Sequence, residues 1–305
     1  MSLGYYELGW YLVLVLWLAY LPYGASFLLN FLRNRHVFLY KPNGNLPRIN
    51  ATIIFQITTL SVTDNLGIVG RGISSIRKSA SDLDLKSYKI VTVSDDLEDA
   101  STHAGADEAI VVPGSYDCNA VRKARSMNYA AGQYKRRFRD LENVWIFHID
   151  EESVVLPQTV EAIVKYIASG DGLLAEGPIL FPSTFSKSAL SGVADSIRSS
   201  TCYFCVSTIT GPGPPSHLHG SNLLMRADVE CEIGWANDKS IAEDQLFGFF
   251  AHKKYPRFGW HGGIHDGNGP CSAIGHDCGV ADAAARIKRV VDRPINTRQG
   301  CRPFS

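Results

Sequence analysis

The most restrictive feature of the chain is a long apolar segment near its amino terminus, which runs from Leu8 to Phe31 without a charged residue. A helix of this length can cross the hydrocarbon core of a bilayer. Its Trp and Tyr side chains suit the membrane interfaces, and Pro22 indicates a kink. We therefore predict that residues 1–35 are a transmembrane anchor. The alternatives, a cleaved signal peptide and a buried core helix, are weakened by the length of the segment.

The charges that flank this segment predict its orientation. Arg33, Arg35 and Lys41 follow it, whereas only Glu7 precedes it. Basic residues favour the cytosolic side of a membrane, so we expect a single-pass anchor with the catalytic domain in the cytosol. Residues 36–50 are rich in Pro, Asn and Gly and are expected to be a linker.

Composition narrows the classes of function. The 30 Lys and Arg residues balance the 30 Asp and Glu residues, so no net charge attracts the chain to nucleic acid, and we predict no nucleic-acid partner. The 7 cysteines are odd in number and scattered, which favours a reduced compartment. Cys202 and Cys205 form one Cys-x-x-Cys, but without a second pair nearby we interpret them as buried thiols rather than a zinc site.

Apolar β-rich runs alternate with helical patterns after residue 50. Strands are expected at 52–60, 88–93, 108–112, 144–149 and 172–175, and helices at 65–79, 119–142 and 157–169. This alternation predicts an α/β fold in which a mostly parallel central sheet has helices on both faces. Because such sheets bind ligands beyond the carboxyl ends of their strands, candidate site residues are expected there.

Acidic residues follow two of the predicted strands. Asp150 and Glu152 lie in HIDEES, and Asp95 and Asp96 lie in VTVSDD. Two carboxylates at positions i and i+2 of an extended segment point the same way and suit a divalent cation. Each motif alone fits an acidic turn or a helix cap equally well.

Two further motifs lie towards the carboxyl terminus. Gly220 and Ser221 precede an apolar strand in HLHGSNLLMR, where a glycine allows the backbone to approach a ligand closely. Glu243 and Asp244 open a helical pattern in IAEDQLFGF, where an acid either favours the helix dipole or acts as a base. His219 is a potential metal ligand, although loop histidines are more often solvated.

Taken together and in their order along the chain, these motifs resemble those of a known protein family. The set comprises TVSDD (92–96), KAR (123–125), NYA (128–130), FHIDEES (147–153), HGSNLLMR (219–226) and IAEDQLFGF (241–249). Over residues 51–263 it resembles family 2 glycosyltransferases, whose GT-A fold is Rossmann-like. It is most similar to the egghead-like branch, whose animal members are β-1,4-mannosyltransferases, and more distantly to cellulose and hyaluronan synthases.

The resemblance implies an inverting hexosyltransferase that forms a β-glycosidic linkage. The donor would be a nucleotide-sugar, GDP-mannose or a UDP-hexose with mannose favoured, and the acceptor a hydroxyl of a glycolipid or glycan. Asp95 or Asp96 would contact the donor nucleotide, and Lys123 and Arg125 would lie near its phosphates. Asp150 would also take part in donor binding.

The resemblance also implies a metal site and a base. Asp150 and Glu152 stand where the family has its D-x-D motif, which implies Mn²⁺ or Mg²⁺ bridging the donor diphosphate; Glu at the second position departs from that motif. Asp244 matches the family's general base, and Glu243 is its catalytic neighbour. The residues implied on the acceptor side are His219, Gly220 and Ser221.

The last part of the chain departs from the resemblance. Synthase-like relatives carry Q-x-x-R-W and further membrane helices, and neither follows His261. Residues 264–305 are Gly-, Ala- and Arg-rich and are predicted to be a poorly ordered or truncated tail. The alternative function is therefore a catalytically inactive nucleotide-sugar-binding member of the same fold. A nucleotidyltransferase is disfavoured because no basic Gly-rich loop follows the first strand.

Overall fold

The computed structural model describes residues 5–34, 43–62, 64–95, 105–180, 205–211, 213, 215, 218–235, 243–263 and 265–266. The helices are α1 (Tyr5–Asn34), α2 (Leu66–Asp82), α3 (Arg122–Arg137), α4 (Pro157–Ser169), α5 (Ala227–Ile233) and α6 (Glu243–Lys254), and residues 205–209 are also helical. The strands are β1 (Thr52–Thr59), β2 (Tyr88–Ser94), β3 (Glu108–Val111), β4 (Val144–Asp150), β5 (Val154–Val155), β6 (Leu174–Glu176), β7 (Ile179–Leu180), β8 (Leu223–Arg226), β9 (Gly259–Trp260) and β10 (His265–Asp266).

The central sheet confirms the predicted α/β fold. Its strand order is β3-β2-β1-β4-β8-β6-β9. The pairs among β3, β2, β1 and β4 are parallel, whereas β8 runs antiparallel to both β4 and β6. Strand β1 lies inside the parallel part and is buried from Ile53 to Thr59, which explains its many apolar and β-branched residues.

Helices cover both faces of this sheet, and successive residues of β1 show how. Ile53, Phe55 and Ile57 pack with apolar residues of α2 and α4 in one cluster. Ile54 points to the opposite face and packs with Ala130 of α3 in another cluster. The alternation follows from the two-residue period of a strand.

Helix α3 is shorter than the predicted helix at 119–142. It begins at Arg122, after Val121 in an extended conformation, and ends where Phe138 becomes extended. A separate 3-10 turn, Leu141–Asn143, then leads into β4. The predicted helix was too long at its carboxyl end, because the chain leaves the helix after Arg137 in order to turn into β4.

A buried asparagine connects the antiparallel part of the sheet to its loops. Asn222 is fully buried with φ +55°, a conformation that asparagine tolerates better than most residues. Its Nδ2 donates to the carbonyl oxygens of Pro178 at 2.8 Å and Gly263 at 3.0 Å. Gly177 lies against this junction, where an added Cβ would come within 2.2 Å of His261. The loop before β8 is therefore fixed to its neighbours.

The described part of the predicted linker packs against the α/β domain. Glu161 of α4 is fully buried, and its carboxylate accepts backbone N–H bonds from Asn43 at 2.9 Å and Gly44 at 3.0 Å. Leu46 and Ile49 pack against the core that α2 and α4 form with the sheet. Residues 43–50 are thus part of the domain surface, while residues 35–42 lie outside the described residues.

Helix α1 contains the apolar segment. By length and composition, the stretch Gly9–Arg33 is long and apolar enough to cross a membrane, and none of its most apolar window is buried in the protein. Near its end, the Ser207 hydroxyl donates to Oδ1 of Asn30. The helix therefore touches the α/β domain close to the helical residues 205–209.

The attachment of residues 43–50 can be tested through Glu161. We expect Glu161→Gln to speed amide hydrogen exchange at Asn43 and Gly44 by about tenfold, because an uncharged amide has one acceptor oxygen for two N–H donors and about 1.4 kcal/mol of local stability is lost. Exchange measured by mass spectrometry gives the result. Glu142→Gln, at an exposed position, is the matched control; equal exchange in both variants would contradict the attachment.

Candidate active site

The carboxyl ends of β2 and β4 lie on either side of β1. The register places Ser94 of β2 beside Thr59 and Asp150 of β4 beside Thr58. Asp95 directly follows Ser94. The two predicted acidic motifs therefore end at the same edge of the sheet, as expected for parallel strands.

Lys123, in the first turn of α3, holds Asp150. Its ammonium group forms an ion pair with the Asp150 carboxylate and donates to the carbonyl oxygen of Gly220 at 3.1 Å. Burial lowers the pKa of Lys123, but the carboxylates of Asp150, Glu243 and Asp244 outweigh it and raise the pKa above its usual value. Lys123 is therefore a fixed positive charge among acidic side chains.

Arg125 holds Asp95 in the same way. Its guanidinium pairs with the Asp95 carboxylate and donates to the carbonyl oxygens of Pro113 at 2.8 Å and Tyr116 at 3.0 Å. It also lies over the Tyr116 ring, 5.6 Å from the centroid. Asp95 is thus bound to α3 at the strand end. Asp96 lies outside the described residues.

The loop before β8 brings Gly220 and Ser221 to this edge. The backbone N–H of Asp150 donates to the buried Ser221 hydroxyl at 3.0 Å. A Cβ on Gly220 would lie 3.2 Å from the Lys123 ammonium nitrogen and 3.6 Å from the Asp244 carboxylate. Because Gly220 has no side chain, Lys123 and Asp244 can both lie close to its backbone.

The first turn of α6 supplies two more carboxylates. Oδ1 of Asp244 accepts the N–H of Gln245 at 2.7 Å, and the Gln245 side chain donates to the Pro215 carbonyl at 2.8 Å. Burial raises the pKa of Glu243, and the neighbouring Asp244 charge adds to that effect. The structure thus places the predicted acid pair near enough to Lys123 to raise its pKa, and places Asp244 beside Gly220.

Glu152 lies at the rim of the same cluster. Desolvation by the surrounding protein raises its pKa to about 7, and the negative charge of Asp150 contributes next. Its side chain is exposed at the surface, so solvent screens part of this effect. This carboxyl group therefore keeps its proton to a higher pH than an ordinary exposed glutamate does.

His219 lies beside the cluster, with partners that sequence reasoning did not assign to it. Its Nε2 is 3.3 Å from Oε1 of Glu176 and 3.5 Å from Sγ of Cys205, and its backbone N–H donates to Oε2 of Glu176 at 3.2 Å. Glu176 ends β6, which runs parallel to β4 because both are antiparallel to β8. The strand-end rule that indicated Asp150 therefore also applies to Glu176.

Parts of the chain are similar in sequence to known proteins. Residues 145–270 match the family described as glycosyl transferase family group 2. Over 179 residues the chain is 27% identical to β-1,4-mannosyltransferase egh of Drosophila melanogaster, covering 54% of this chain and 37% of that relative. The chain thus spans little more than a third of the length of this curated relative.

One solved structure shows the same fold. The mannosyltransferase PcManGT from Pyrobaculum calidifontis, solved with GDP-Man and Mn²⁺, is 14% identical with a TM-score of 0.52, covering 90% of this chain and 71% of its own. S. aureus TarS residues 1–349 are 13% identical with a TM-score of 0.42, covering 71% of this chain and 60% of that one. The second score is too low to support an argument. The first confirms the predicted GT-A fold.

The raised pKa of Glu152 predicts a pH-dependent stability difference. The folded state keeps this proton between about pH 4.5 and 7 while the unfolded chain releases it, so wild-type stability falls as pH rises through that window. Glu152→Gln removes the effect. The measured quantity is the free energy of unfolding of Glu152→Gln minus that of wild type, with a chelator present to remove metal ions. We expect this difference to be about 1 kcal/mol larger at pH 7.5 than at pH 4.5, a value that already allows for solvent screening.

Denaturant unfolding of the full chain in detergent at both pH values measures this difference. Glu142→Gln, at an exposed position, serves as the control and should show the same small offset at both pH values. A Glu152→Gln offset that does not change with pH would contradict the assigned pKa.

Proposed function

We propose that the chain, which has a GT-A fold and whose residues 145–270 match the family described as glycosyl transferase family group 2, is a membrane-anchored inverting glycosyltransferase. It transfers a hexose from a nucleotide-sugar to a hydroxyl acceptor and forms a β-glycosidic linkage. The observation that supports this most strongly is the meeting of Asp150, Lys123 and Asp244 around the Gly220 backbone. A donor site and a candidate base thereby share one edge of the sheet.

Asp244 is the proposed general base. A sugar hydroxyl is a weak nucleophile at neutral pH, so a carboxylate must take its proton as the oxygen attacks the anomeric carbon. The hydroxyl proton moves to Asp244, the new carbon–oxygen bond forms on one face, and the bond to the donor phosphate breaks on the other. Attack from the opposite face turns an α-linked donor into a β-linked product. Glu243, whose pKa is raised, is the proposed catalytic neighbour of Asp244.

Two cations of α3 suit the donor diphosphate. Lys123 and Arg125 lie two positions apart in the first turn, and each meets an acidic strand end. Their positive charges attract phosphate oxygens, and a helix amino terminus favours anions as well. Asp95, together with Asp96, is proposed to contact the nucleoside portion. The proposed acceptor-side residues are His219, Gly220 and Ser221, of which Gly220 contacts Lys123 and Ser221 contacts Asp150.

Asp150 and Glu152 are the proposed ligands of Mn²⁺ or Mg²⁺. Their carboxylate oxygens are the hard donors that these ions take, and the adjacent like charges leave a cluster that a dication would neutralise. PcManGT is a GT-A relative crystallised with Mn²⁺. A bound divalent ion supplies positive charge that stabilises the departing nucleoside diphosphate.

GDP-mannose is the proposed donor. Two relatives support it: the Drosophila protein is a β-1,4-mannosyltransferase, and PcManGT was solved with GDP-Man. A UDP-hexose is the competing donor. The proposed acceptor is a glycolipid or glycan.

The apolar surface of α1 supports a membrane anchor. Its large side chains, including Trp10 and Trp17, are exposed in the isolated chain. Soluble proteins rarely expose so large a continuous apolar surface. We therefore propose that α1 spans the bilayer and, from Arg33 and the basic residues after it, that the catalytic domain faces the cytosol.

The first test of the proposed transfer reaction replaces the proposed general base, Asp244. Asp244→Asn should lower kcat for transfer by about 10²- to 10⁴-fold, because the amide cannot accept the hydroxyl proton. Donor affinity should stay close to wild type. A screen of nucleotide-sugars with Mn²⁺ in the membrane fraction, with product linkage analysis, measures donor, rate and stereochemistry. Full transfer by Asp244→Asn would exclude this base, and a retained anomeric configuration would exclude inversion.

Metal-dependent donor binding separates the enzyme from an inactive binding protein. We expect Mn²⁺ to lower the Kd for GDP-mannose. In Asp150→Asn this Mn²⁺-dependent decrease in Kd should be at least tenfold smaller, because one metal ligand is lost. Isothermal titration measures both. Asp84→Asn, at an exposed ion pair with Lys86, is the control. Metal-dependent binding without transfer to any acceptor would favour the inactive member of the fold.

A further inference from the structure

A second cluster of metal-binding side chains lies beside the proposed donor site. Glu176, Cys205 and His219 each place one ligand atom within 4.8 Å of the other two. Glu176 and Cys205 are buried, while the His219 side chain is 17% exposed. From this geometry we infer a transition-metal site of the Zn²⁺ type, separate from the Mn²⁺ or Mg²⁺ site at Asp150 and Glu152.

The observed distances agree with tetrahedral coordination. With the usual zinc bond lengths, a thiolate sulfur and an imidazole nitrogen on one Zn²⁺ lie about 3.5 Å apart, and the nitrogen and a carboxylate oxygen lie about 3.4 Å apart. Here Sγ of Cys205 is 3.5 Å from Nε2 of His219, and that nitrogen is 3.3 Å from Oε1 of Glu176. The three atoms therefore need little movement to share one ion.

The two contacts of the His219 Nε2 atom also favour a cation. Nε2 of His219 faces a thiol and a carboxylate, and a neutral imidazole nitrogen is either a donor or an acceptor but not both. Donation to Glu176 and acceptance from Cys205 are thus mutually exclusive. A divalent ion satisfies both contacts at once, because it binds the nitrogen lone pair, the thiolate and the carboxylate together.

The ligand set distinguishes this site from the donor-metal site. A thiolate and an imidazole select Zn²⁺ and similar transition metals, whereas Asp150 and Glu152 offer oxygen ligands alone. Three protein ligands leave a fourth position, and the partial exposure of His219 gives water access to it. The two sites should therefore select different ions.

The inferred ion would fix the acceptor-side loop. It would join β6, the helical residues 205–209 and the loop that contains His219. The next two residues of that loop, Gly220 and Ser221, contact Lys123 and Asp150. Zn²⁺ would therefore act as a positioning element for the catalytic edge, without touching the reacting atoms.

Metal content and Co²⁺ spectroscopy test the site on the wild-type chain in detergent. We expect about one tightly bound zinc that excess Mn²⁺ does not displace. After exchange, Co²⁺ should give a thiolate-to-cobalt charge-transfer band and the visible bands of tetrahedral coordination. Cys205→Ser should remove the charge-transfer band, and Glu176→Gln should weaken Co²⁺ binding at least tenfold.

The matched control is Cys231→Ser. The Cys231 thiol donates to the Ala131 carbonyl at 3.3 Å, and burial raises its pKa to about 12, so its loss should leave the band unchanged. A wild-type chain that binds neither Zn²⁺ nor Co²⁺ would overturn the inference, as would a charge-transfer band that survives in Cys205→Ser. These measurements require no sugar transfer, so their failure is distinct from failure of the proposed function.

Discussion

The first turn of α3 is the element on which the site depends. It places Lys123 against Asp150 and Arg125 against Asp95, so that one helix end connects the carboxyl ends of β2 and β4. Without these cations the acidic strand ends would repel one another and the carboxylates of α6 nearby. The same positive charges suit a phosphorylated donor. One helix end therefore neutralises carboxylates at both strand ends and, in the proposed function, would also offer positive charge to the donor diphosphate.

The second constraint is the loop before β8, which is fixed from several directions. Asn222 bonds two backbone carbonyls from other loops, and Ser221 accepts the N–H of Asp150. Gly220 has no side chain, and both Lys123 and Asp244 occupy the space around it. Loop position, and with it the distance between the proposed base and the donor site, follows from these contacts. Buried polar groups hold a unique geometry of this kind when their bonds are satisfied.

Much of this fold could be predicted from sequence because β1, β2 and β4 are short runs rich in apolar and β-branched residues between helical patterns. Helix ends were less predictable, since the helical pattern around α3 extended past Phe138. Acidic residues at strand ends indicated Asp95 and Asp150, because parallel strands share one edge. Sequence analysis named His219 as a potential metal ligand, but no motif connected it with Glu176 and Cys205, which lie in two other segments. Cys205, interpreted as a buried thiol, is indeed buried but also meets His219.

The most direct test of the account is to locate the metal and donor in one crystal. Crystals of the full chain grown with Mn²⁺ and GDP-mannose would show manganese by its anomalous scattering. We predict manganese in contact with the carboxylates of Asp150 and Glu152, the donor diphosphate between it and Lys123, and the anomeric carbon facing Asp244. Manganese bound away from both carboxylates, or a donor outside the edge formed by β2 and β4, would contradict the account.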